Sequence, residues 1–168
     1  MKQIRLAVLF TLALATGLVA EEPKELAVAK KEFAQIPHPD EAAREHYVLS
    51  LLALREKAVH SNGDWKAVDT ELKKHPAPKD ADSKALTAYR LGRWDSSRHQ
   101  LLFNKNGTWS MWPVEPDVTR GAWKIAGNQF LYSPGDPPPS TKYTIIVLTA
   151  KKFVYTDGDM VFIENKAK

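Results

Sequence analysis

The hydrophobic pattern of the chain changes period after Leu91, and this change constrains the fold more than any other feature. Before Leu91, apolar residues recur at helical spacing. After it, they alternate with polar residues, as half-buried strands require. Turn signals interrupt the second half at short intervals, at residues 104–107, 127–128, 133–140 and 157–159. The pattern predicts about seven or eight short strands joined in sequence as hairpins.

The sequence therefore predicts an α+β fold: N-terminal helices followed by a small antiparallel up-and-down β-barrel or a strongly curved meander sheet. Apolar residues recur at helical spacing from Pro23 to Ile36, from Glu41 to Val59 and from Trp65 to Leu72. The predicted N-caps of the later helices are Asp40, Asp64, and Asp82 or Ser83. Residues 76–82, with two prolines, form the predicted linker.

One predicted strand differs from its neighbours in being apolar on both faces. Ile145, Ile146, Val147 and Leu148 follow one another in the run from Tyr143 to Thr149. Continuous apolar runs of this kind are typical of strands that are covered on both sides. We expect this strand to be central, with the helices packed on its outer side.

The first twenty residues have the order of a secretory signal peptide. Lys2 and Arg5 precede an apolar run from Leu6 to Val19, which is too short to span a membrane comfortably. Cleavage is predicted after Ala20, and the pattern at 13–15 offers an earlier site. We therefore expect a periplasmic or secreted protein without a membrane span after cleavage, divided into a signal (1–20), a helical region (21–82) and a β-domain (83–168).

Composition excludes several function classes. The chain has no cysteine, so it carries neither disulfides nor a lipoprotein-type anchor, and it depends on apolar burial for stability. Of its 24 basic residues two lie in the signal, which contains none of the 20 acidic ones, so 22 basic residues face 20 acidic ones in the mature chain. This near balance argues against a nucleic-acid partner.

Two Gly-x-Trp segments within the β-half are similar to each other. Gly92-Arg-Trp94 and Gly121-Ala-Trp123 flank the hairpin sequence Asn106-Gly107-Thr108-Trp109. This arrangement resembles small bacterial lipocalin-like (calycin-like) β-barrel domains over roughly residues 91–165. The positions that carry the resemblance are Gly92, Trp94, Gly107, Trp109, Gly121 and Trp123.

The resemblance implies an up-and-down barrel whose base is closed by Trp94, with an internal cavity for an apolar ligand in some relatives. The strands of this chain are shorter than those of the larger members. An eight-stranded barrel is just wide enough to be filled by its own side chains or to hold one small ligand. Because many aromatic residues compete for inward positions, we expect a largely filled interior.

Four residues are predicted to bind ligand. Arg98 offers paired donors to an anion, and His99 could be oriented by Asp95, although both also fit an ordinary strand start on the surface. Trp112 has the opposite strand parity to Trp109 and therefore points outward, either under the helices or into solvent. Tyr132 completes the set. The ligand would enter near Arg98 and His99 or near the loop at 133–140.

No catalytic, metal or cofactor site is predicted. His38, Asp40, His46, His60 and His75 do not show the i, i+4 placement of a helical zinc site. The chain lacks a Gly-rich phosphate loop, a Gly-x-Ser-x-Gly elbow and a cysteine nucleophile. An enzyme built on an unrecognised carboxylate pair stays open as a third hypothesis.

The leading hypothesis is an exported, non-enzymatic binding module for a small, partly apolar ligand. The alternative is an envelope protein that binds or inhibits another protein, in which the barrel is solid and the helices or Trp112 provide the contact.

Overall fold

The computed structural model describes residues 22–96, 99–112, 120–135 and 138–168. In these ranges four helices precede eight strands, which confirms the predicted α+β class. The helices are α1 (Lys24–Ala34), α2 (Glu41–His60), α3 (Trp65–Leu72) and α4 (Ser83–Arg90). The strands are β1 (Gly92–Asp95), β2 (Gln100–Phe103), β3 (Thr108–Trp112), β4 (Arg120–Ala126), β5 (Gln129–Pro134), β6 (Thr141–Leu148), β7 (Lys152–Thr156) and β8 (Val161–Lys166). The predicted signal peptide lies outside the described residues.

Aspartate side chains cap three of the helices at the predicted positions. Asp40 accepts a hydrogen bond from the backbone N–H of Ala43 in α2, and Asp64 accepts one from Ala67 in α3. Asp82 accepts bonds from the first turn of α4. These carboxylates accept hydrogen bonds from backbone N–H groups that have no partner within the helix, so each fixes where its helix begins.

The eight strands form a closed antiparallel barrel. Each strand pairs with the next along the chain, and β8 pairs with β1 through Trp94 opposite Lys166. Closure leaves no sheet edge free, which matters in a chain that has no disulfide to hold the barrel together. The described structure thus has the up-and-down topology that the regular turn signals predicted.

Inward-pointing aromatic side chains fill most of the barrel. The completely buried aromatic side chains inside the barrel are those of Trp94, Phe103, Trp109, Phe130 and Phe153. The rings contact one another edge-on, as between Phe130 and Phe153 with centroids 5.2 Å apart. This packing agrees with the expectation of a largely filled interior.

Helices α1 to α3 pack on the outside of the barrel against β6, β7 and β8. Ile146, Val147 and Val154 face this second core, which contains Val48, Leu51, Leu52, Leu26, Val68 and Leu72 from the helices. The pairing of β6 with β7 shifts register between Ile145 and Val147. Strand β6 is therefore apolar on both faces because one face lines the barrel and the other supports the helices.

Helix α4 and the segment before it close one end of the barrel. Ser83 accepts a hydrogen bond from the Gly127 backbone N–H at 2.6 Å, and Asn128 donates from its side-chain amide to the Ala77 carbonyl at 2.7 Å. In an up-and-down barrel the β1–β2, β5–β6 and β7–β8 connections lie at the opposite end. Access to the interior is therefore expected there. No helix within the described ranges is long and apolar enough to cross a membrane.

Candidate functional site

A small cavity of about 160 Å³ lies inside the barrel. Its buried lining residues are Arg90, Phe103, Phe130 and Glu164, and its half-buried ones are Leu101, Tyr132, Tyr143 and Tyr155. The cavity therefore has a buried floor that contains two charged groups and a rim that solvent reaches. The floor lies toward the end that α4 closes.

The charged groups of the floor are Arg90 and Glu164. Arg90 is the last residue of α4, and its side chain is completely buried. Glu164 alternates with outward-facing Val161 and Ile163 on β8 and therefore points into the barrel. The Arg90 Nη1 and Glu164 Oε2 atoms lie 2.6 Å apart and form a close, buried ion pair.

Four aromatic rings lie close to the guanidinium of Arg90. Its Cζ lies 3.7 Å from the ring centroid of Phe103 and 4.2 Å from that of Phe153, with Trp94 and Phe130 at 5.0 and 5.2 Å. Attraction between a cation and these ring faces offsets part of the cost of burying the charge.

Part of the guanidinium is left without acceptors. Nε and Nη2 of Arg90 are buried and form no hydrogen bond within the described part of the chain, whereas Nη1 lies against Glu164 Oε2. Burial lowers the pKa of Arg90, while the charge of Glu164 opposes that shift. Arginine nevertheless remains protonated in proteins, so its N–H groups are permanent donors. Buried donors of this kind are normally satisfied, by ordered water or by a ligand.

Tyrosine hydroxyls surround the rest of the cavity. Tyr155 donates a hydrogen bond to Glu164 Oε1 at 2.7 Å. Burial raises the pKa of Tyr132, Tyr143 and Tyr155 above the ordinary phenol value, so all three hydroxyls are protonated at neutral pH. The lining therefore combines hydrogen-bond donors with ring surface.

A second cation lies behind the floor. Lys166 Nζ is 4.7 Å from the Trp94 ring centroid and donates to the backbone carbonyl of Leu91. Burial and the positive charge of Arg90 lower the pKa of Lys166. Two cations, Arg90 and Lys166, thus lie near the single carboxylate of Glu164 at this end of the barrel.

Of the four predicted ligand-binding residues, Tyr132 lines the cavity, where its ring stacks on Trp109 with centroids 4.6 Å apart. His99 is half-buried beside Ser96, whose hydroxyl accepts a bond from the His99 backbone N–H at 3.1 Å, and it is not a lining residue. Trp112 points outward into solvent and is 68% exposed. Arg98 lies outside the described residues. The ligand-binding roles of all four stay predictions.

The fold-signature tryptophans are each anchored by the indole N–H. Trp94 donates to the Arg90 carbonyl at 2.7 Å, Trp109 to Ser133 at 3.0 Å and Trp123 to Thr108 at 2.9 Å. Trp94 is completely buried where α4 meets β1. Its bond to Arg90 places the end of α4, and with it the guanidinium, inside the barrel. The Gly-x-Trp signal therefore helps to position the candidate site.

Sequence reasoning missed Arg90 and Glu164. The parity of β8 contained a usable signal, because Phe162 and Glu164 share the inward face while Val161 and Ile163 share the outward one. A glutamate on the same face as aromatic residues indicates a buried charge that requires a partner. Arg90 carried no comparable signal, since it ends a short helix with a mixed sequence.

A second, larger groove lies on the outer face of β1, β2 and β3. It has a volume of about 530 Å³ and includes Arg93, Leu102, Ser110 and Trp112. Leu102 is 36% exposed beside the more exposed Trp112. This groove presents apolar surface to solvent, unlike the charged floor inside the barrel.

No family model matches the chain, and neither the curated proteins nor the solved structures include a significant match. The described residues also contain no group of three or more His, Cys, Asp or Glu side chains that could hold a metal ion. The geometry of the cavity and of the outer groove is therefore the basis on which a function can be inferred.

Proposed function

We propose that the protein is an exported, non-enzymatic binding module of the bacterial envelope, periplasmic or secreted, whose barrel holds a small, partly apolar ligand. The observation that supports this function most directly is the cavity of about 160 Å³, which has a charged floor and a rim that is partly exposed to solvent. The order of the first twenty residues supports export.

The size of the cavity limits the ligand. Apolar cavities of about 150 Å³ are large enough to bind benzene. A ligand of similar size would contact Leu101, Phe130 and the tyrosine rings, while a long lipid chain would not fit. The resemblance to small lipocalin-like barrels agrees with a container of this kind, although its ligand would be smaller than those of the roomier members.

The direct test is native mass spectrometry of protein purified from its source, followed by solvent extraction. We expect a bound small molecule in stoichiometric amount. A protein that is empty, and that also fails to bind benzene-sized probes in solution, would contradict the proposal.

Adjacent leucines offer a matched pair of variants. Leu101 lines the cavity, whereas Leu102 faces solvent on the outer side of the same strand. Leu101→Trp should fill the cavity and abolish ligand retention, and Leu102→Trp should leave it unchanged. Equal retention by both variants would mean that the ligand binds elsewhere.

The second candidate function is binding of another protein through the outer groove. It is favoured by Trp112, which is 68% exposed, and by the neighbouring Leu102. Exposed tryptophans with apolar neighbours are frequent centres of protein interfaces. In this case the barrel would serve as a rigid support.

A crosslinking pull-down from the periplasmic fraction separates the two functions. Loss of a stoichiometric partner on Trp112→Ala, with the partner retained on Trp65→Ala, would favour the interaction role. Trp65 is a suitable control because it is also partly exposed, at 38%, but lies in α3. A partner profile that is identical for both variants would contradict this role.

A further inference from the structure

The cavity floor has more hydrogen-bond donors than acceptors. Nε and Nη2 of Arg90 form no hydrogen bond to the described residues. The hydroxyls of Tyr132 and Tyr143, which also line the cavity, are further donors. The carboxylate of Glu164 is already engaged, since Oε1 accepts from Tyr155 and Oε2 lies against Arg90 Nη1. A ligand that satisfies this lining must supply acceptors.

The local charge has the matching sign. Arg90 and Lys166 provide two positive charges near the one negative charge of Glu164. Asp157 lies near Tyr143 toward the rim, where it is exposed and water screens its charge. The buried charges of Arg90 and Glu164 balance each other, so the half-buried Lys166 gives this end of the barrel an excess of positive charge that favours an anion.

The shape of the lining favours a compact body. Phe130, Leu101 and the tyrosine rings line the cavity, which Arg90 borders at its floor. Arginine binds carboxylates through paired N–H groups in one plane, and Nε and Nη2 are the pair that Glu164 leaves unused. Because both nitrogens are buried, a carboxylate reaches them with a small shift of the surrounding side chains, and its apolar part then rests on the rings.

We propose that the ligand is a small monocarboxylic acid whose carboxylate binds the guanidinium of Arg90 inside the barrel, assisted by the hydroxyls of Tyr132 and Tyr143. This inference rests on the proposed binding function and adds the chemical class of the ligand. Arg90 serves as the anion receptor, and Glu164 pairs with its Nη1.

The test is calorimetric titration of the full chain with benzoate and, separately, with benzyl alcohol, which has the same ring but no charge. Benzoate should bind at least about tenfold more tightly, since hydrogen bonds to charged groups are worth more than neutral ones. Equal affinity for the two probes would overturn the carboxylate assignment while leaving the binding function intact. Failure of both probes with an empty purified protein would instead contradict the binding function itself.

Variants locate the receptor. Arg90→Gln should weaken benzoate binding by about 10- to 100-fold and change benzyl alcohol binding much less. Lys124→Gln, on the exposed face of β4 and outside both the cavity and the outer groove, is the control and should leave both affinities unchanged. Equal loss of both probes in the Arg90 variant, with the fold intact by circular dichroism, would contradict the proposal.

Glu164→Gln keeps the proposal testable if the Arg90 variant does not fold. This change preserves the shape of the side chain and an acceptor for Tyr155, and it removes the negative charge that competes for the guanidinium. It should raise benzoate affinity about tenfold or more, because a like charge within a few ångströms of the bound carboxylate disappears. A fall in benzoate affinity would overturn the inference.

Discussion

Gly121 provides a sharp test of how the barrel is packed. This residue lies in β4 opposite Trp109 of β3, and its missing side chain leaves room for the indole. A Cβ atom built on Gly121 would lie 2.0 Å from the Ser133 carbonyl oxygen and 2.4 Å from Trp109 Nε1. These are the two atoms that form the buried 3.0 Å hydrogen bond from Trp109 to Ser133. Gly121→Ala should therefore force strand β5 and the indole apart.

The expected cost has two parts. Overpacking a close-packed core costs about 1–3 kcal/mol. Loss of a buried hydrogen bond costs about 1–3 kcal/mol more, because both groups stay desolvated. The sum of about 2–6 kcal/mol is a large share of the free energy of unfolding of a typical domain, which is about 5–15 kcal/mol. For a chain of this size the melting temperature should fall by at least about 4 °C.

The assay is urea unfolding followed by tryptophan fluorescence and circular dichroism, with Gly63→Ala as control. A Cβ on Gly63 meets no atom closer than 3.4 Å, so this variant should stay within about 1 kcal/mol of the parent. If Gly121→Ala were as stable as the control, the close approach of β3, β4 and β5 around Trp109 would be wrong.

Three further predictions concern titratable side chains in the helices and in the barrel. Burial raises the pKa of Glu71, but hydrogen bonds from Lys74 and His75 outweigh burial and leave that pKa below the ordinary value. The stability that these bonds contribute is present above about pH 4.3 and should be lost as the pH falls below it. Urea titrations at each pH should show a smaller loss of stability for Glu71→Gln than for the parent. Burial raises the pKa of four tyrosines: Tyr47, Tyr132, Tyr143 and Tyr155. The free energy of unfolding should therefore decline as the pH rises above about 10, and the phenol absorbance should change together with unfolding. Lys166→Met removes the hydrogen bond to the Leu91 carbonyl and should reduce the free energy of unfolding by about 1–3 kcal/mol. Lys168→Met, at an exposed position, is the control and should change the free energy of unfolding little. Similar urea midpoints for the two variants would exclude a structural role for the Lys166 bond.

Features that depend on local chemistry were predictable from the sequence. The caps Asp40 and Asp64 were recognised because an aspartate before an apolar helical pattern satisfies backbone donors of the first turn. The turn at Asn106 and Gly107 was predictable because Asn-Gly is a strong hairpin signal, and Gly107 does adopt a φ of 80°. The resemblance implied that Trp94 closes the base of the barrel, and Trp94 is completely buried. The regular succession of hairpins predicted a barrel or a strongly curved meander, and the described strands close into a barrel.

The candidate site could be predicted only in part, because charged side chains are assigned to the surface by default. Tyr132 was included in the predicted set and does line the cavity. Arg90 and Glu164 were left out, although they are 0% and 2% exposed. Their pairing joins residues 74 positions apart through the closure of β8 onto β1 and the entry of α4 into the barrel end. No local pattern contains that information.

The energetics of this pair point to a role beyond stability. Replacing a buried ion pair by apolar side chains of similar volume is often neutral or stabilising, because removing two charges from water costs about as much as their attraction returns. The rings of Phe103 and Phe153 reduce the cost for Arg90 but leave Nε and Nη2 without acceptors. A barrel selected for stability alone would lose little with leucine or methionine at both positions. If the barrel binds a carboxylate, as proposed above, the pair is retained because it holds a charged donor in place before the ligand arrives.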